Sequence, residues 1–166
     1  MFSVNNTIAN TIAMQNSDYI DDNEHNKITF PSDVQLSLEK LEECLYNCKS
    51  FTGKNNKLYK QILDFIITTY DLKDHFYLYK TSREAINAIT QKIRPLVDLK
   101  VKLQRIKDNS VDMTYEKQYI KKVLDINIDD NISLELEEFT KNIHSNSLKI
   151  SKYLCNIADE LLPNDK

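Results

Sequence analysis

A single glycine, Gly53, in 166 residues constrains this chain more than any other feature. Average usage would supply about 12. Hairpin turns and phosphate-cradling loops depend on the positive φ that glycine reaches without strain. One glycine therefore argues against an all-β fold and leaves no room for a P-loop, a dinucleotide fingerprint or a nucleophile elbow. The expected class is all-α: elongated amphipathic helices with coiled-coil-like seams behind a disordered N-terminal tail.

The tail is assigned to residues 1–31. Six of the first thirty residues are asparagine, and Asp18, Asp21, Asp22 and Glu24 outweigh Lys27. Its scattered apolar residues offer too little burial to offset the entropy of ordering. Ile8, Ile12 and Ile20 are candidates for a short docking segment.

Helical patterning begins at Pro31-Ser32, where Ser32 and Gln35 have capping-box spacing. Val34, Leu38, Leu41, Leu45 and Cys48 then recur at alternating steps of four and three, an a/d seam over a helix of about 33–51. Gly53 is its expected left-handed stop. A second helix is expected over about 56–72, with Leu58, Ile62, Phe65, Ile66 and Thr69 on one face. Thr81 and Glu84 form another capping-box pair. It opens a third helix carrying Ile86, Ile89, Ile93, Leu96, Leu99, Leu103 and Ile106. Pro95 removes an amide and crowds residue 91, so a kink is expected there, with a break into two helices as the alternative. These segments make up a helical region over 32–107.

Residues 108–132 read as an irregular connection with one short helix near Tyr115–Leu124. Ser133 caps a final helix over about 133–162, whose seam is Leu136, Phe139, Ile143, Ser147, Ile150, Leu154, Ile157 and Leu161. Two successive steps of four make a stutter in that seam, and Pro163 ends the helix.

A self-contained globule needs apolar faces about 100° wide, whereas a narrow seam suits a partner helix. A partner-helix interface is accordingly expected at Val34, Leu38, Leu41, Leu45, Cys48, Ile86, Ile89, Ile93, Leu96, Leu103, Ile143, Ile150, Leu154, Ile157 and Leu161. On this reading Leu41→Asp blocks assembly while leaving the helicity of the isolated chain largely unchanged.

Charge and cysteine narrow the function classes. A net charge of −3 is too acidic for a dedicated duplex DNA binder, so no direct nucleic-acid partner is expected. The longest apolar piece, Phe65-Ile66-Ile67, falls far short of the roughly 20 residues that span a bilayer, so no membrane partner is expected either. The start of the chain shows no basic region followed by an apolar one, so no secretory signal is expected. Three cysteines without framework spacing suit a reducing compartment.

Cys44 and Cys48 share a helix face but lack the second pair that structural zinc requires. His25, His75 and His144 are scattered over a tail, a connection and a helix, with no nucleophile and orienting partner suggested beside them. Phe76, Tyr77 and Tyr79 have only Lys73, Lys80 and Arg83 nearby, so they read as packing aromatics rather than a single-strand platform. No catalytic residue, metal ligand or cofactor is expected. The second half of the third helix is basic through Lys92, Arg94, Lys100, Lys102, Arg105 and Lys107 against Asp98. The stretch containing Asp129, Asp130, Glu135, Glu137 and Glu138 is acidic. Solvated faces are the plain account, and matching between helices of a complex the sharper one. Arg94, Lys100, Lys102, Arg105 and Lys107 are the residues expected to make electrostatic contact.

One stretch carries a family resemblance. The segment Ser37-Leu38-Glu39-Lys40-Leu41-Glu42-Glu43-Cys44-Leu45, ending near Ser50, resembles the opening helix of a fungal kinetochore family. Asp71-Leu72, Ile89, Ile93-Arg94-Pro95-Leu96-Val97 and Leu99 resemble its second landmark, an amphipathic helix with an isoleucine-arginine-proline step. The family is the spindle pole component nineteen subunit of the DASH complex, and the resemblance covers about residues 33–107. Residues 108–166 carry no motif of that family. The resemblance implies a non-enzymatic subunit in the nucleus, at kinetochore and spindle. Its partners would be the other helical subunits and, through the assembled complex, the microtubule. The alternatives are a subunit of another helical scaffold or tether, or a compact all-α protein-binding module of viral origin.

Overall fold

The computed structural model describes residues 28–51, 56–108, 112–128 and 132–164. The chain is all-α. Five helices run in order: α1 (Ser32–Phe51), α2 (Leu58–Asp74), α3 (Ser82–Asp108), α4 (Thr114–Leu124) and α5 (Leu134–Leu161), with a 3₁₀ turn at Phe76–Leu78. The expected tail lies outside the described residues up to position 27. Gly53 and the acidic pair Asp129 and Asp130 lie outside them too. Ile28 and Phe30, assigned to the tail, are instead buried, and the Ile28 amide donates to the Lys73 carbonyl at 2.7 Å.

Local chemistry sets the helix starts. The Leu136 amide donates to Ser133 Oγ at 3.1 Å, so Ser133 is the cap of α5. At α3 the Glu84 amide donates to Thr81 Oγ1 at 3.2 Å, while the Glu84 carboxylate accepts from the Lys80 amide, one residue earlier than a standard capping box. At α1 the Gln35 amide donates to the Pro31 carbonyl, and the Gln35 side chain turns forward to Glu39 instead of back to Ser32. The end of α4 uses Asp125 in a left-handed conformation (φ 56°), its amide donating to the Lys121 carbonyl.

Pro95 does not break α3, which is one helix through that position. The carbonyl that loses its donor belongs to Gln91, an exposed residue, so water is at hand to satisfy it.

The helices close on themselves. Helix α1 packs on α2, α2 on α3, α3 on α5 and α5 back on α1, a ring of four with α4 laid on α3. The Ser82 amide donates to the Pro163 carbonyl at one end of α3, and Lys107 pairs with Glu137 at the other, so α3 and α5 are antiparallel. Helices α1 and α5 are antiparallel as well. Tyr153 Oη donates to the Thr29 carbonyl, and Lys149 pairs with Asp33.

This ring corrects the expected role of the seams. Val34, Leu38, Leu41, Leu45, Cys48, Ile89, Ile93, Leu96, Leu103, Ile143, Ile150 and Leu154 are all buried within the single chain. Each seam finds its partner helices in its own neighbours. Three positions depart from the expected stripe. Ile86 is half-buried because Ala85 takes the core position. Ile157 is half-buried and Leu161 is exposed, because beyond Leu154 the core passes through Ala158 and Leu162.

Candidate protein-docking groove

The α3–α5 contact leaves an open groove along its outer side. Helical periodicity places Arg94, Val97, Val101 and Arg105 on one face of α3, and Lys141, His144 and Leu148 on one face of α5. The antiparallel pairing brings Val101 and Arg105 of α3 beside His144 of α5, and Lys100 and Gln104 beside Lys141. Two adjoining recesses of about 230 Å³ each mark the groove. One is lined by Lys100, Leu103, Gln104, Lys107, Ile132, Glu137, Thr140 and Lys141. The other is lined by Lys100, Val101, Gln104, Arg105 and His144. Each is smaller than a typical small-molecule pocket of roughly 300–1,000 Å³. Sharing Lys100 and Gln104, the two form one furrow.

The apolar surface here is open: Val101 is 48% exposed and Leu148 42%. Lys100 and Lys141 line the groove, and among the described residues neither has a carboxylate within ion-pair distance. Burial, and then the Lys100 ammonium, hold the His144 imidazole below its ordinary value, so it is neutral at pH 7.

The basic residues singled out in the sequence divide into two groups. Lys107 Nζ donates to Glu137 Oε1 at 2.6 Å, so part of the basic half of α3 is matched by the acidic start of α5 inside the chain. Arg105 Nε lies 3.4 Å from the buried Glu116 carboxylate of α4. Lys102 Nζ sits over the rings of Tyr115 (4.9 Å) and Tyr119 (5.5 Å), a cation–π clasp that pins α4 to α3. Lys102 is therefore a structural cation. Arg94 is exposed on α3, and Lys100 lines the groove together with Lys141, which was not among the cations singled out in the sequence. The available signal was a second apolar row on α3, Val97 and Val101, lying off the main seam and flanked by cations.

The other constellations are structural. Cys44 and Cys48 are buried, and burial pushes both thiols up to about 12, aided by Glu43 for Cys44 and by Cys44 for Cys48. Protonated thiols of this kind are poor nucleophiles and poor ligands. His75 is buried at the end of α2, with its Nδ1 3.2 Å from Tyr77 Oη. Phe76 and Tyr79 pack against the core. His25 lies outside the described residues. Among the described residues no group of three or more His, Cys, Asp or Glu is placed to hold a metal, and no helix is long and apolar enough to cross a membrane.

Compared with protein-family models, with curated proteins and with solved structures, the chain finds no match in any of the three.

Proposed function

We propose that this chain is a non-enzymatic protein-interaction subunit whose partner-facing surface is the α3–α5 groove. The observation that supports this reading is the exposed apolar surface of Val101 and Leu148 on the two groove-forming helices, with Lys100 and Lys141 in the lining and without an ion pair among the described residues, on a bundle whose own seams are already filled. Apolar surface rimmed by charge is the usual composition of a docking site. A photo-crosslinking side chain at position 101 or 148 tests it, with position 60 on α2 as control. Adducts to one defined protein at 101 and 148 but not at 60, reproduced with purified components, are the expected result. Equal labelling at all three positions would sink the reading.

A narrower reading makes that partner a sister subunit of a microtubule-coupling complex of the DASH type. It rests on the Ile93-Arg94-Pro95-Leu96-Val97 resemblance. Its favouring observation is that the arginine of this motif is exposed on α3, one of the two helices that form the groove, whereas Ile93 and Leu96 are buried. Microtubule co-pelleting of the chain with its partners, absent for the chain alone, is the outcome this reading expects.

A further inference from the structure

We infer that the occupant of the α3–α5 groove is an acidic amphipathic helix of another protein; this rests on the groove being the docking surface. Three observations point to this occupant. First, the chain as a whole is acidic, with net charge −3, yet Lys100 and Lys141 line the groove and the Lys107–Glu137 pair closes its end. The cations are a local feature against the sign of the molecule, so they select for carboxylates. Second, the floor is aliphatic and narrow. Val101, Leu103 and Ile132 line it, with exposed Leu148 farther along α5, and together they offer anchors to one apolar stripe, which a helix supplies at i, i+3, i+4 and i+7. Third, two packed antiparallel helices leave between them a furrow that accepts a third by ridges-into-grooves packing. From Lys100 to Lys107 the furrow runs about 10 Å along α3, about two turns of a docked helix. Nucleic acid fits less well, because the cationic track is short and carries an aliphatic floor where stacking bases need aromatic faces.

The test uses the full chain and three labelled helical peptides of about 14 residues. All carry the same leucine stripe, flanked by glutamate, by lysine or by glutamine. Fluorescence anisotropy is read at low and at high salt. The acidic peptide should bind most tightly and weaken about tenfold or more between about 0.05 and 0.5 M salt. Lys100→Glu with Lys141→Glu should weaken it at least about tenfold and gain binding of the lysine peptide. Circular dichroism of the double variant, and Lys141→Glu alone at an exposed site, separate a binding loss from a folding loss.

If all three peptides bind alike while adducts still form at position 101, the groove remains a docking surface and the acidic occupant is overturned. If no adducts form there, the docking reading itself fails. Concentration-dependent dimerisation that the double variant abolishes would overturn the inference in favour of a second copy of the chain. Acidic-peptide binding that appears only after removal of residues 1–27 would overturn it in favour of the chain's own Asp18–Glu24 segment.

Discussion

Leu41 and Glu42 are neighbours on α1 with opposite demands. Leu41 is fully buried in the bundle. An aspartate there loses the packing of a leucine, about 2–5 kcal/mol, and adds a buried charge without a designed partner. That is comparable to the whole stability of a domain, about 5–15 kcal/mol. Leu41→Asp is therefore expected to abolish most far-UV helicity. This reverses the expectation from the seam alone, in which helicity survived. Glu42 is 3% exposed and accepts from Tyr70 Oη at 3.3 Å. Burial raises its carboxyl from 4.5 to about 7, against the Tyr70 hydrogen bond that lowers it, with Glu39 adding a smaller upward push. A carboxyl whose folded value lies above its unfolded one holds its proton more tightly in the fold. Its contribution is intact below about pH 4.5, is lost as pH rises toward about 7, and levels off beyond, a swing on the order of 3 kcal/mol. Glu42→Gln should flatten this part of the stability profile. Urea unfolding at pH 5 and pH 8 should show the variant gaining on the wild type at the higher pH. A gap that does not change with pH would contradict the assignment.

At the scale of elements, local chemistry and packing act on different parts of each helix. The starts of α3 and α5 are decided by Thr81 and Ser133, whose hydroxyls accept from amides that otherwise have no intrahelical partner. Ser133→Ala should cost about 1 kcal/mol in denaturant unfolding, with no change in the fold. These caps were legible in the sequence because they depend on neighbours three residues away. The helices and their approximate limits were legible for the same reason, since a period of 3–4 is a property of the chain itself. The core position at Ala85 and the turn of the α5 core toward Ala158 and Leu162 were not. Alanine carries little hydrophobic signal, and its place in the core follows from close approach of another helix. The same holds for α4. Its attachment through the Lys102 clasp, the Arg105–Glu116 pair and the Lys57 amide donating to the Val123 carbonyl joins residues far apart in sequence.

At the scale of the molecule, four helices in a closed ring leave little seam for another chain. The purified protein is expected to sediment as a monomer and to unfold in one cooperative step, with coincident circular dichroism and intrinsic tyrosine fluorescence transitions. An aggregating chain, or separate transitions, would argue that the seams are not satisfied internally. Under the proposed function, recognition falls to the outer α3–α5 groove and stability to the core. The Lys107–Glu137 pair joins the two. It is half-exposed and therefore contributes at most about 1 kcal/mol, but it sets the end of the groove.

The amino-acid sequence by itself determined that this protein is helical. Glycine poverty removes the turns a β fold requires, and apolar spacing near 3.6 is intrinsic to the segment that carries it. It also marked which side of each helix is buried, as Leu38, Leu45, Leu96 and Ile143 show. Only the tertiary structure decided against what those sides are buried. A seam is compatible with any helix of complementary spacing, in this chain or in another, because apolar burial is non-directional and does not encode its partner. The choice was made by chain connectivity, antiparallel pairing and the long-range contacts within the chain from Thr29 to Tyr153 and from Ser82 to Pro163. The groove was decided the same way, since Val101 and Leu148 are separate exposed residues until α3 and α5 lie side by side.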